Sequence, residues 1–285
     1  MKKTLLIGLA AVALGSMTAC SNILEEEGTI SASAKTGSLV VALEADGGVD
    51  VTTKAGESVA IPDDLLDNMK VKATLSGSSP EQIVELTGEI QSDKYVYTHT
   101  DKIKSGAYKV TATYDKTDGE VLCWDSPIFY GETNVTVKTG DTPTEGSITA
   151  TLQNSQIVLD ETSYDTFDDK ATIDELYVHE GITPPSDGNK KFSLLPAETK
   201  TLYVKNDVSD LYLHIKGTLT SGSHAFEKSI KIGDANFETE SAKKYKLKCA
   251  WSEGQGSMKI TITIDGNISE VELPEVNVDP YAPQN

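Results

Sequence analysis

The sequence predicts an all-β protein: two consecutive antiparallel β-sandwich domains behind a leader and a linker. Three observations predict it. Apolar and polar residues alternate through many short runs, and Gly, Asp, Ser and Asn separate those runs. No segment holds a long 3.6-residue period. A chain of 285 residues with 38% hydrophobic and 24% charged content is globular in composition and long enough for two domains, or for one large β-domain.

In chain order the first element is residues 1–19. Met1, Lys2 and Lys3 are a short basic start, and the apolar run from Thr4 to Ala13 has the length of a signal-peptide core. That run is too short to cross a bilayer. Gly15, Ser16 and Ala19 lead into Cys20, and small residues just before a cysteine resemble the bacterial lipoprotein box. The resemblance implies a signal peptide cut before Cys20 and a lipid-bearing Cys20 thiol, with acyl chains as the membrane anchor. Residues 20–36 then read as an acidic tether. Its Glu25, Glu26 and Glu27 resemble the surface-export signal of Bacteroidetes lipoproteins, although Asn22, Ile23 and Leu24 intervene after the cysteine.

Residues 37–140 form the first predicted sandwich. Leu39, Val41 and Leu43 alternate with Val40, Ala42 and Glu44, and Tyr108, Val110, Ala112 and Tyr114 alternate with Lys109, Thr111 and Thr113. Val135 and Val137 continue the pattern. Residues 139–146 hold no apolar side chain and many turn formers, which predicts the break between the halves. Residues 145–273 form the second sandwich, where Tyr245, Leu247, Cys249 and Trp251 alternate with lysines and Ile260, Ile262 and Ile264 with Lys and Thr. Such alternation buries one face and wets the other. Two short helical turns are expected, at Asp63 to Met69 and Glu161 to Phe167. Residues 274–285 are a tail; the stretch 271–280, with its two prolines, reads as a last edge strand or a segment lent to a partner.

Three stretches carry a family resemblance: residues 37–46 (GSLVVALEAD), 103–112 (IKSGAYKVTA) and 124–132 (WDSPIFYGE), the last followed by 134–137 (NVTV). In this order they resemble the Bacteroidetes lipoproteins of domain of unknown function 4493, and residues 150–155 (ATLQNS) resemble the opening of that family's second half. The resemblance implies an all-β envelope lipoprotein of immunoglobulin-like or transthyretin-like sandwiches, and assigns no activity. The layout also resembles that of fimbrial subunits and anchors, a likeness of fold only. The residues have plain physical readings too. Gly106 supplies a φ > 0 turn, and Tyr108 enters the core while its hydroxyl seeks a partner at the sheet edge. Pro127 marks an edge or a crossover between sheets, and Gly131 is read as part of a turn.

Composition narrows function by exclusion. The chain has 44 acidic and 25 basic residues, a formal charge of −19, and no arginine. Bidentate recognition of phosphate or guanine lacks its guanidinium, and a nucleic acid backbone would be repelled, so no nucleic acid partner is expected. The histidines His99, His179, His214 and His224 are scattered, with no metal-ligand spacing and no nucleophile motif. A triad of serine, histidine and carboxylate would need a polar pocket that brings them within hydrogen-bond reach. No catalytic residue, metal or cofactor is expected. Cys123 and Cys249 read as separate buried thiols. The acidic clusters around Asp64 and Asp160 read as helix caps and solvated loops rather than calcium sites.

Trp124 and Tyr130 are the candidate glycan contacts, since aromatic faces stack on sugar rings; Tyr95, Tyr97 and Trp251 read as core. The expectation is therefore a non-catalytic cell-envelope lipoprotein with a structural, adhesive or fimbria-like surface role. It is held through Cys20 in the outer membrane, faces the cell exterior, and partners an assembly subunit, another protein or a glycan. The alternative is a glycan- or nutrient-binding surface lipoprotein of a polysaccharide-utilisation system.

Overall fold

The structure is a computed structural model that describes residues 35–46, 61–91, 94–220, 225–232, 237–252, 257–264, 271–272 and 276–277, with side chains as far as Leu247. Cys20, Glu25, Glu26 and Glu27 lie outside the described residues, as do the side chains of Cys249 and Trp251. The described chain is all-β. Its first strands are β1 (Thr36–Gly37), β2 (Leu39–Asp46), β3 (Lys70–Leu75), β4 (Ile83–Gln91), β5 (Lys94–Thr98), β6 (Ile103–Lys104) and β7 (Gly106–Tyr114). Then come β8 (Leu122–Trp124), β9 (Phe129–Val137) and β10 (Thr144–Leu152). A single helical turn, α1 (Leu65–Asn68), precedes β3.

Seven of these strands close into a barrel in the order β10-β2-β5-β4-β3-β7-β9. The alternation predicted from sequence fills it: Leu39, Val41, Leu43, Tyr108, Val110, Ala112, Tyr114, Val135 and Val137 all point into one core. The seam that closes the barrel is the parallel pair β2–β10, in register from Leu39 opposite Thr144 to Asp46 opposite Thr151. Alternation alone predicts an exposed and a buried face, not strand direction, so this parallel seam departs from the antiparallel expectation. Residues 139–143 form an exposed turn, whereas 144–146 already belong to β10, which completes the barrel wall.

Gly106 has φ +152°, and the Tyr108 hydroxyl donates to the Lys104 carbonyl at 2.8 Å, anchoring a buried ring at the sheet edge as expected. Gly131 corrects the sequence reading. It lies inside β9 rather than in a turn, and glycine is needed because a Cβ there would stand 2.4 Å from the Thr149 carbonyl oxygen.

The second half comprises β11 (Ser155–Leu159), β12 (Ala171–Glu180), β13 (Phe192–Ser193), β14 (Leu202–Val204), β15 (Leu211–Leu219) and β16 (Ala225–Lys231). Four more follow: β17 (Lys244–Ser252), β18 (Ser257–Ile264), β19 (Val271–Glu272) and β20 (Val276–Asn277). One sheet runs β19-β18-β17-β11-β14-β8 and the other β13-β12-β15-β16. They enclose a second core that includes Phe167, Leu176, Val178, Leu213, Ile215 and Leu247. Here too one pair is parallel, β11 with β17. The tail segments β19 and β20 lie antiparallel along β18, at the edge of their sheet.

The second helical turn expected is α2 (Glu161–Tyr164), followed by a 3₁₀ turn over Asp165–Phe167. Asp160 caps it, its carboxylate accepting from the Ser163 N–H at 3.0 Å.

Candidate functional site

The two cores meet at a junction assembled from residues of both halves. Strand β8 leaves the barrel between β7 and β9 and pairs antiparallel with β14, so Leu122 is buried in the second core. In return Tyr203, on β14, is buried in the barrel core. Pro127 sits at the crossover from one sheet to the other, where a residue without an N–H costs the ladder nothing. The chain itself crosses at Gln153 and Asn154. Asn154 is 1% exposed, and its side chain accepts from the Ile128 N–H and donates to the Ser126 carbonyl, both at 2.9 Å. Ser155 is fully buried; its hydroxyl donates to the Glu240 carbonyl and accepts from the Lys243 N–H. Asp125 and Thr201 tie the same region twice, N–H to carbonyl and N–H to carboxylate, each at 2.8 Å.

These buried polar groups satisfy one another, which fixes the junction as firmly as a core. Neither Tyr203 nor Leu122 stands out in the sequence. The signal that could have found the crossing is the polar pair Asn154-Ser155 set between Leu152 and Ile157.

Trp124 and Tyr130 are placed on different sheets. Trp124 is half-buried at the end of β8, its ring 5.5 Å from Phe192 and capped by the Lys200 ammonium at 5.8 Å. Tyr130 is half-buried on the outer wall of the barrel, where its hydroxyl donates to Glu132 and Lys109 pairs with the same carboxylate at 2.8 Å. Both rings are thus engaged by neighbours of the same chain. Tyr97 is buried against Gly88, where a Cβ would lie 2.5 Å from the ring, and burial pushes its phenol up to about 12. Cys123 is half-buried, and burial likewise pushes its thiol up. Asp64 accepts from the Tyr114 hydroxyl at 2.9 Å and from Lys116, and these partners hold its carboxyl below the usual range. Among the described residues no group of three or more His, Cys, Asp or Glu converges on a metal position.

A histidine–serine–carboxylate arrangement does occur. On the face of the four-stranded sheet opposite the second core, the buried His214 has Nδ1 2.9 Å from Ser229 Oγ and Nε2 3.5 Å from Glu227 Oε1. His179 lies beside it, with ring centroids 6.5 Å apart. Tyr177 stacks on His214 at 4.6 Å and Tyr212 on His179 at 5.7 Å. Burial pushes both imidazoles down.

His214 and Ser229 are cross-strand partners in an unbroken ladder from Thr218 opposite Ala225 to Tyr212 opposite Lys231. The ladder engages the backbone groups on the β15 side of β16, the last strand of its sheet, whereas acyl transfer needs free donors converging on an oxyanion. Three surface cavities, of about 180, 160 and 230 Å³, lie elsewhere, and none is lined by His214, Ser229 or His179. Among the described residues no helix is long and apolar enough to cross a membrane.

Residues 35–279 match the family described as Domain of unknown function (DUF4493). The chain belongs to this family. The match covers both cores and the junction, so the DUF4493 unit in this chain is the whole two-core body. No curated protein matches the chain. Among solved structures it is similar to a protein from Parabacteroides distasonis provisionally named a cell adhesion protein. That likeness has 10% identity, covers 80% of this chain and 99% of that one, and has a TM-score of 0.44. It is also similar to a fimbrial assembly protein from the same species (11%, 80% and 96%, TM-score 0.40). A third is the tip fimbrial protein Mfa3 from Porphyromonas gingivalis (9%, 80% and 99%, TM-score 0.37).

Proposed function

We propose that this DUF4493 chain is a non-catalytic cell-envelope lipoprotein with a structural, adhesive or fimbria-like surface role. It is anchored through lipid on Cys20 in the outer membrane and faces the cell exterior, with other protein subunits as partners. The observation that carries the non-catalytic part is the setting of the histidine–serine pair. It stands in a regular strand pairing, Tyr177 stacks on its imidazole, and none of the three cavities described above is lined by it. The junction supports the structural part, since burying Asn154, Ser155, Leu122 and Tyr203 across two cores serves stiffness rather than turnover.

The test uses a deletion strain complemented with Ser229→Ala and, separately, Cys20→Ala. Ser229→Ala should leave surface display and cell attachment at the parental level. Cys20→Ala should move the protein out of the membrane fraction and abolish proteinase shaving from intact cells. A Ser229→Ala protein that is folded and displayed yet inactive in attachment would overturn the non-catalytic reading. A Cys20→Ala protein still held in the membrane fraction would overturn the anchor.

A further inference from the structure

We infer that the parallel seam between β2 and β10 is a shear clamp, built to hold the body together when it is pulled lengthwise from its N-terminal side. The use of such a clamp rests on the N-terminal tether proposed above; the mechanical property does not. From Lys35 and β1 the described chain enters the barrel at the start of β2, and it leaves the barrel for the second core at the end of β10. Because the two strands run parallel, the start of β2 and the end of β10 lie at opposite ends of the seam. Eight register pairs separate them, roughly 25 Å of strand. Tension between a tether and the second half would therefore slide β2 and β10 past each other. Every hydrogen bond of the seam then shares the load, instead of breaking in turn from one end.

Both ends are fastened as such a device requires. At the near end, the Lys35 carbonyl accepts from the Ser105 N–H at 2.7 Å, the Thr36 carbonyl from Gly140 at 3.0 Å, and the Ser38 carbonyl from Thr144 at 2.8 Å. At the far end, Leu152 pairs with Phe129, the Gln153 N–H donates to the Ile128 carbonyl at 2.8 Å, and Asn154 grips Ser126 and Ile128. Force from the second half thus reaches the barrel through β10 and the β8–β9 crossover together, at one end. Between the two ends, Val41 and Leu43 on β2 and Ile148 and Ala150 on β10 are buried in the same core, so sliding also breaks side-chain packing. The Thr144 bond to Ser38 sets the phase of the ladder, so the Ala42 N–H also faces β10.

Single-molecule force spectroscopy on the full chain decides the matter, with handles attached at two exposed positions. Handles at Lys35 and Ile182 load the seam in shear. Handles at Lys35 and Asp141 pull the same seam open from its near end. The first pair should need a clearly higher unfolding force than the second. Ala42→Pro, which deletes one seam donor, should speed forced unfolding in the first geometry about fivefold, the equivalent of one hydrogen bond of about 1 kcal/mol.

Should that variant fail to fold, Ala42→Cys with Ser147→Cys gives a second reading, since these residues are direct register partners. Oxidised, the pair should remove the barrel-opening step in the first geometry, and reduction should restore it. Equal forces in the two geometries, or a barrel that opens with the seam still cross-linked, would overturn the clamp. Neither result bears on the lipid, which membrane fractionation of Cys20→Ala tests by itself.

Discussion

Single residues in this chain are held by burial and by the neighbours burial forces on them, and His179 shows the consequence for pH. It is fully buried, its Nε2 has no hydrogen-bond partner, and its Nδ1 lies 3.4 Å from the Glu180 carbonyl oxygen. Burial is the leading cause that lowers the affinity of both His179 and His214 for a proton; Glu227 and Glu175 oppose it at His214. The folded state therefore binds fewer protons than the unfolded chain once the pH drops through the ordinary imidazole range near about 6.5. Stability should be full above that range and should fall as the pH is lowered through it. His179→Phe keeps a ring beside Tyr212 and removes the unpartnered nitrogen. Urea titrations between neutral and mildly acid pH should find this variant at least as stable as the parent at neutral pH and flatter in its pH dependence. A parent whose stability rises on acidification through this range would contradict the account.

At the scale of elements, the alternation in β2, β7 and β9 was legible because each strand has one face in the barrel core and one in water. Of the two acidic clusters read as caps, only Asp160 caps its helical turn with its side chain; Asp64 precedes α1 but turns its carboxylate to Tyr114 and Lys116 instead. Three things were not legible, each for a physical reason. Strand direction is absent from a period-two pattern, so the parallel pairs β2–β10 and β11–β17 were invisible. Strand β8 is only three residues long, and its pairing with β14 is a long-range contact that no local pattern records. Strand β4 buries Leu86 yet exposes Ile83 and Ile90, so its hydrophobic residues mislead.

Gly131 illustrates the same limit. It looked like a turn residue because turns favour glycine, whereas here glycine lets β9 approach the Thr149 carbonyl. Gly131→Ala should therefore cost about 1–3 kcal/mol, as overpacking does, in equilibrium denaturation. A neutral effect would mean that β9 and β10 can part without loss.

For the whole molecule, the exchange of β8 and Tyr203 makes the two cores mutually dependent. A segment limited to residues 37–140 keeps β8 but loses β10, and with it Ile148, Ala150 and Leu152 from the barrel core. The closing seam goes too, leaving the edge of β2 unpaired on one side. A segment beginning at residue 145 loses β8, so β14 becomes an exposed edge and Leu122 leaves a hole beside Leu202 and Val204. Each half alone is thus short of a strand that the other supplies. The expected behaviour of the intact chain is one cooperative thermal transition with calorimetric and van't Hoff enthalpies in agreement. The two isolated segments should show neither dispersed amide resonances nor a cooperative melt. Two resolved transitions in the intact chain, or a folded isolated segment, would show that each core stands by itself and that the junction only joins them.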